Sequence, residues 1–293
     1  MKVNMLFPHI GGRGLTMVLS YVPVVSKEAY LAAVIHDIAR IPFSPARSVP
    51  HVLYPSGLGR LLYAAYVIEK GGLWRELFLC VVGIPGLSCE TVDSVLSELR
   101  QHEIYRWDGI EGDLLRLSEG VDSLYNEKKE FLISVLRKVY GFRKLFERTY
   151  VIYGFNPVPG LSFGSMLHYD NENVVLAVYV NALMNEAQVL DVIIHELLHG
   201  LVKLNGLRLE HDLEELIIDA SAPQGYVSEL LGLVNRSRAR VKDVIYFARK
   251  GADKYEQVFQ HIRRYFEERR YDEVSIFEWV SKRRSNGEGL TTQ

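Results

Sequence analysis

Apolar residues recur along most of the chain at the spacing of one helix face, and strand-like runs interrupt them in a few places. The spacing predicts helices at residues 26–40, 57–70, 74–82, 88–102 and 121–147, and again from Asn185 onward. Runs typical of strands lie at residues 3–7, 16–22, 150–155 and 173–181, the last two joined by a loop rich in Pro and Gly. The sequence therefore predicts an α+β fold that is predominantly helical and contains a small mixed sheet.

No stretch of the chain has the composition of a clean linker, and a length of 293 residues allows one large domain or two smaller ones. We predict an N-terminal mixed α/β region at residues 1–120, a second domain at residues 121–284 and a flexible tail at residues 285–293. One continuous α+β domain is the alternative.

The composition is that of an ordinary soluble protein, with 48% hydrophobic residues, 24% charged residues and a formal net charge of −2. No uncharged run is both long enough and free of Pro and Gly to form a membrane helix of about 20 residues. The near-neutral charge gives no reason to expect nucleic acid as a partner. A basic segment at residues 236–284 favours nucleic acid, but its interleaved Arg and Glu are more typical of a solvated helix surface. We expect a soluble protein without a membrane partner.

The two cysteines, Cys80 and Cys89, are too few for a disulfide framework. Both lie in apolar surroundings, where a free cysteine packs like a small apolar residue. We therefore predict two free thiols in the core of a cytoplasmic protein, with a Cys80–Cys89 pair as the alternative.

One motif carries clear chemistry, the HExxH sequence formed by His195, Glu196 and His199. It lies on a strongly apolar predicted helix that begins with a capping-box pattern at Asn185 and Gln188. Two histidines four residues apart share one helix face, where both imidazoles can bind one tetrahedral ion. Glu196 then reaches a water on that ion and can deprotonate it. The pattern predicts a zinc site with a carboxylate base.

A zinc centre of this kind needs a third protein ligand. A metzincin would place a His six residues after the second motif His, but that position is Asn205. On the next predicted helix, Glu215 and Asp219 stand on one face, with His211 one turn earlier. Glu214 is the alternative third ligand, while His211 suits stabilisation of an oxyanion better than metal binding.

This combination resembles the gluzincin group of zinc metallopeptidases, which pairs HExxH on one helix with a Glu on a downstream helix, often as ExxxD. The resemblance covers residues 173–220. It implies that His195, His199 and Glu215 bind Zn²⁺ and that Glu196 is the general base.

The same resemblance implies how the surroundings are arranged. Asp219 would accept a hydrogen bond from a ligand histidine and fix the orientation of its ring. The catalytic domain at residues 121–284 would be zincin-like, with the helix at 121–147 packed behind the motif helix.

Zincins bind an extended peptide along an edge strand that precedes the motif helix. Here the resemblance makes residues 173–181 that edge strand, with Asn181 and Ala182 holding the substrate backbone. A fully buried strand is the alternative. Tyr226, beyond the third ligand, would supply the electrophilic group that stabilises the oxyanion.

A second titratable pair, His36-Asp37, lies on the first predicted helix. Such a pair on an apolar helix suggests a second metal site or a base. We interpret His36 instead as a structural histidine that is capped or hydrogen-bonded.

Taken together, the residues predict a soluble zinc-dependent peptidase that hydrolyses bonds in a peptide or protein substrate. The alternative is a zinc-binding protein of the same fold without proteolytic activity, which would serve as a scaffold for a partner. A nucleic-acid-associated helical protein is a third, weaker hypothesis.

Overall fold

The computed structural model describes residues 19–40, 55–104, 107–155, 163–181, 183–238 and 252–285. The strand predicted at residues 3–7, part of the strand at 16–22, Ala182 and nearly all of the predicted tail at 285–293 lie outside these ranges. Part of the basic segment, residues 239–251, lies outside them as well.

A four-stranded mixed sheet forms the centre of the described structure, as the sequence predicts. Its strands are β1 (Ser20–Val24), β2 (Arg148–Phe155), β3 (Gly164–Tyr169) and β4 (Asn173–Val180), in the spatial order β1-β2-β4-β3. β1, β2 and β4 are parallel to one another, and β3 runs antiparallel to β4. The combination of this small sheet with many helices confirms the predominantly helical α+β class.

β4 is an interior strand, so the expectation that it forms the sheet edge is wrong. Every residue of β4 is buried, because β2 and β3 flank it, the helix that carries the HExxH motif packs against one face, and Asp37 of the first helix contacts Tyr179 on the other. β1 forms one edge of the sheet, and the edge strand beside β4 is β3, which lies inside the segment that the sequence predicts to be a loop. Its six residues alternate weakly between apolar and polar, and a bulge between Met166 and His168 interrupts the ladder, which leaves little sequence pattern to detect.

Helices of the N-terminal half cover one face of the sheet. α1 (Lys27–Arg40) begins where the Ser26 hydroxyl accepts the Ala29 backbone N–H at 3.1 Å. α2 (Pro55–Gly71), α3 (Trp74–Val81) and α4 (Asp93–Gln101) pack around α1. α1 reaches the sheet where it meets Gly154 of β2, because a Cβ there would lie 2.1 Å from Cδ2 of Tyr30.

The opposite face is covered by α5 (Trp107–Tyr140) and α6 (Glu186–Leu204). α5 packs against α6, so the predicted helix behind the motif helix is confirmed, although it begins and ends earlier than the predicted 121–147. α6 touches the sheet closely at Gly200, where a Cβ would lie 3.3 Å from Val174 and 3.4 Å from Met166.

α5 also crosses the predicted domain boundary between residues 120 and 121 without a break. One cluster of buried apolar side chains contains residues from both sides of that boundary. The division into domains stays a prediction.

The C-terminal part is helical, as predicted from Asn185 onward. After α6, its described α-helices are α7 (His211–Ser221), α8 (Tyr226–Leu230), α9 (Ala252–Glu267) and α10 (Ile276–Ser285). α7 packs against α6 and α9 packs against α7, so the motif helix is held between the sheet and this helical layer.

Cys80 and Cys89 form a disulfide, with their Cα atoms 5.9 Å apart, so the prediction of two free thiols is wrong. The segment between them turns twice, at Gly83 and Gly86, whose φ values of 72° and 81° suit glycine, and returns the chain to the end of α3. Because the two thiols are not free, they give no support to a cytoplasmic location, and that location stays a prediction. None of the described helices is long and apolar enough to cross a membrane.

Candidate metal centre

The HExxH motif lies in the middle of α6, which begins with the predicted capping box. The Asn185 side chain accepts the Gln188 backbone N–H at 3.0 Å, and the Gln188 side chain accepts the Asn185 N–H at 3.0 Å. Most of α6 is buried against the sheet and against α5, but the His195 and His199 side chains remain 14% and 13% exposed. The two imidazoles thus lie on a well-packed helix at a place where the core is partly open to solvent.

The ligand atoms of three side chains converge beside α6. Nε2 of His195 and Nε2 of His199 are 3.3 Å apart, and Oε1 of Glu215 lies 3.6 Å from Nε2 of His199. All three ligand atoms lie within 4.8 Å of one another. Tetrahedral zinc with nitrogen ligands at about 2.05 Å requires ligand atoms roughly 3.3 Å apart. The spacing of the cluster therefore fits a metal ion, and the predicted third ligand belongs to it.

Both histidines are oriented by acceptors on their outer nitrogens. Nδ1–H of His195 donates to the backbone carbonyl of Ala222 at 2.7 Å, and Nδ1–H of His199 donates to Oε1 of Glu214 at 2.8 Å. An imidazole that donates through Nδ1 presents the lone pair of Nε2 on its other side. Both lone pairs therefore face the space shared with Glu215, which is the tautomer that metal binding requires.

Three carboxylates, those of Glu196, Glu214 and Glu215, lie close to the His199 imidazole. Burial acts to lower the pKa of His199, but the hydrogen bond to Glu214 and the charges of Glu215 and Glu196 outweigh it and raise that pKa. For Glu214, burial acts to raise the pKa, and the contact with His199 outweighs it and lowers the pKa. Such a cluster favours the binding of a cation.

Glu196, the predicted base, is buried between α6 and the start of β3. Its exposed fraction is 8%, and a Cβ added at Gly164 would lie 2.7 Å from its Cγ and 2.8 Å from its Oε1. Burial raises the pKa of the Glu196 carboxyl above its ordinary value. The two motif imidazoles act against this rise, and the carboxylates of Glu215 and Asp37 add to it. A carboxylate with a raised pKa is a stronger proton acceptor.

The carbonyl that holds His195 is itself fixed by Asp191, a residue that the sequence did not single out. Asp191 lies one turn before His195 on α6 and is 1% exposed. Its carboxylate accepts the Gln224 backbone N–H at 2.6 Å and the Ser228 hydroxyl at 2.5 Å. The segment that carries Ala222 is thereby tied to the same helix as the ligands. An acid on the buried face of an apolar helix is the signal that identifies this role.

Three further candidates lie on α7 near the cluster, and each makes a different contact with it. The Asp219 carboxylate lies 3.8 Å from Nδ1 of His195, but the hydrogen bond of that nitrogen goes to Ala222. Glu214 contacts the outer nitrogen of His199, which makes it an orienting residue in this arrangement. The His211 side chain is 80% exposed, and its Nδ1 lies 3.8 Å from Oε1 of Glu215.

For the remaining candidates, Tyr226 and Asn181, the contacts that the structure records lie away from the cluster. The Tyr226 ring is 2% exposed and stacks on Phe266 with the centroids 4.6 Å apart, a packing that gives no support to an oxyanion role. Asn181 is half-buried, and its side chain accepts the Leu183 backbone N–H at 2.9 Å. Ala182 lies outside the described residues.

No family model, no curated protein and no solved structure matches the chain. The gluzincin resemblance therefore depends on the motif residues and on their geometry. The class that the fold and the site define is an α+β protein with a His-His-Glu cluster that could hold a metal ion.

Proposed function

We propose that the protein is a zinc-dependent peptidase of the gluzincin type. His195, His199 and Glu215 bind the metal, and Glu196 is the general base. The observation that carries this proposal is the convergence of two oriented Nε2 atoms and one carboxylate oxygen beside a buried Glu.

The chemistry of the ligand set supports zinc as the ion. Two imidazoles and one carboxylate are a common ligand set of catalytic zinc, which keeps a further position for water or substrate. Zinc bound there would polarise a substrate carbonyl and lower the pKa of a water molecule to about 7.

Glu196 supplies the proton transfers of the proposed reaction. Its carboxylate takes a proton from the attacking water and returns that proton to the nitrogen of the departing amine. Burial supports this role, because it raises the pKa of the carboxyl and keeps competing water away from it.

An extended peptide backbone fits the edge of β3. Among the described strands, β3 pairs with β4 alone, so its outer edge faces no described strand and is the edge at which a substrate strand would add by β-augmentation. Gly164, at the start of this edge, packs against Glu196 and brings the edge to the base. We therefore assign substrate binding to β3 rather than to β4.

A digest of a diverse peptide pool tests the proposal. Zinc-loaded wild-type protein is expected to cleave the pool, and Glu196→Gln is expected to slow cleavage by roughly a thousandfold, since a general base contributes about 10²–10⁴. Zinc content should stay unchanged in this variant. The matched control is Glu186→Gln, the same substitution at an exposed position in the first turn of α6, which should cleave like wild type.

The outcomes also separate the two zinc hypotheses. Zinc binding with no cleavage by wild type would contradict the peptidase and leave a zinc-binding scaffold. Cleavage that Glu196→Gln leaves intact would remove Glu196 as the base.

A further inference from the structure

Asp37, near the C-terminal end of α1, joins two strands of the sheet. Its Oδ1 accepts the Ser165 hydroxyl of β3 at 3.0 Å, and its Oδ2 accepts the Tyr179 hydroxyl of β4 at 2.5 Å. Burial, and then the neighbouring Asp37 carboxylate, raise the pKa of Tyr179 well above its ordinary value, so its hydroxyl keeps the proton that it donates. A single carboxylate thus connects the edge strand, the interior strand and α1.

The Asp37 carboxylate is itself held firmly. Nδ1–H of His36 donates to its Oδ1 at 3.0 Å, and the Asp37 side chain is only 12% exposed. His36 is fully buried, with its ring edge-on to Trp74 and Phe78 at 5.0 Å and 5.1 Å. His36 is therefore a hydrogen-bonded structural histidine, as the sequence indicates, and its role is to fix Asp37.

The first residues of β3 make contacts on both faces of the sheet. Successive residues of a strand point to opposite faces, so Ser165 and Gly164 face opposite sides. Ser165 is tied to Asp37 on the face that α1 covers, and Gly164 touches Glu196 on the face that α6 covers. The position of this strand end relative to Glu196 depends on both contacts.

We propose that Asp37 is a positioning residue that fixes the substrate-binding edge of β3 against Glu196. The proposal rests on the proposed peptidase function for its kinetic part. Its structural part, that Asp37 fixes the start of β3, is independent of any activity.

Hydrogen exchange of the free, full-length protein tests the structural part. Asp37→Ala and Ser165→Ala are each expected to speed exchange in the peptide covering residues 164–169 roughly tenfold, because each removes the hydrogen bond between the Ser165 hydroxyl and the Asp37 carboxylate. Exchange in α6 should not change. Asp37→Asn keeps one acceptor oxygen and should restore part of the protection.

The matched control is Asp170→Ala, at the other end of β3. Asp170 accepts the backbone N–H groups of Glu172 and Asn173 at 2.8 Å and 2.7 Å, so its loss loosens the turn after the strand. Exchange should then rise in the turn and stay slow at the start of β3.

Kinetics on one peptide from the pool test the functional part. Asp37→Ala and Ser165→Ala should lower kcat/KM about tenfold, mainly through KM, because pairing with an edge strand binds the ground and transition states alike. Zinc content should stay at the wild-type level, and Asp170→Ala should keep the wild-type KM. The double variant should be no worse than Asp37→Ala, since Asp37→Ala already removes the contact with Ser165 that Ser165→Ala removes.

Each failure has a separate meaning. If the exchange of residues 164–169 is unchanged in Asp37→Ala and in Ser165→Ala, the proposal is wrong, whatever the activity. If exchange rises but KM stays at the wild-type value, Asp37 is structural and not positioning. If wild type cleaves nothing, the peptidase fails, and the exchange result still decides whether Asp37 fixes the strand. Ser165→Ala decides the question if Asp37→Ala does not fold.

Discussion

The candidate site has two sides: a metal side, formed by His195, His199 and Glu215, and a strand side, formed by β3 and Asp37. The two sides differ in the sequence separation between the residues that contact each other. On the metal side, His199 and its acceptor Glu214 are 15 residues apart, and His195 and Ala222 are 27 apart. On the strand side, Asp37 is 128 residues from Ser165 and 142 from Tyr179. The metal side is formed by α6 and the segment that follows it, whereas the strand side requires α1 of the N-terminal half to pack against the sheet.

This difference predicts two kinds of sensitivity to substitution. Changes on the metal side should alter zinc binding with little effect on the sheet. Changes on the strand side should alter the hydrogen exchange of β3, the free energy of unfolding or KM, while zinc stays bound. The substitutions below test this separation.

Replacement of the third ligand should have the largest effect. Glu215→Ala removes the only carboxylate that belongs to the His-His-Glu cluster among the described residues. We expect zinc content to fall from about one ion per chain to background, because two imidazoles alone bind zinc weakly. Metal analysis of the dialysed protein measures this. Retention of zinc at the wild-type level would remove Glu215 from the ligand set.

The neighbouring residue provides the matched comparison. Glu214→Ala removes the acceptor of Nδ1 of His199 but no ligand atom. Loss of such an orienting partner typically costs about 10–100-fold in metal affinity, so zinc should bind more weakly and still bind. A competition titration with a chelator measures the affinity. If the two variants exchange these outcomes, Glu214 is the ligand and Glu215 is the orienting residue.

The close contact between the two sides can be tested at Gly164. A Cβ there would lie 2.8 Å from Cγ1 of Val192 as well as against Glu196, so Gly164→Ala overpacks the junction of β3 and α6. We expect a loss of about 1–3 kcal/mol in the free energy of unfolding. Denaturant unfolding measures it, with Gly59→Ala in α2 as the control because nothing lies within 4 Å of that Cβ. Equal stability of the two variants would show that β3 does not pack tightly on Glu196.

The same difference explains what the sequence could predict. The capping box at Asn185, the motif on α6 and Glu215 on α7 were predictable because helical periodicity relates residues a few positions apart to one face. The α+β class followed from the same patterns. Asp191 was detectable in principle as an acid on a buried helix face, although it was not singled out.

The strand side could not be predicted in this way. β3 is short, contains polar Ser165 and His168 and is interrupted by a bulge, so its pattern does not distinguish it from a loop. The pairing of Asp37 with Ser165 depends on how α1 meets the sheet, which no local spacing encodes. The Cys80–Cys89 disulfide was only the alternative to two free thiols, because it depends on the two turns that bring the cysteines together.

The zinc coordination in the purified protein, measured by X-ray absorption, tests the central claim most directly. We predict two nitrogen ligands at about 2.0–2.1 Å, oxygen ligands at about 2.0–2.2 Å and no sulfur, with a changed spectrum in Glu214→Ala and no bound zinc in Glu215→Ala. A sulfur ligand at about 2.3 Å, or a wild-type spectrum in Glu215→Ala, would contradict a centre built from His195, His199 and Glu215.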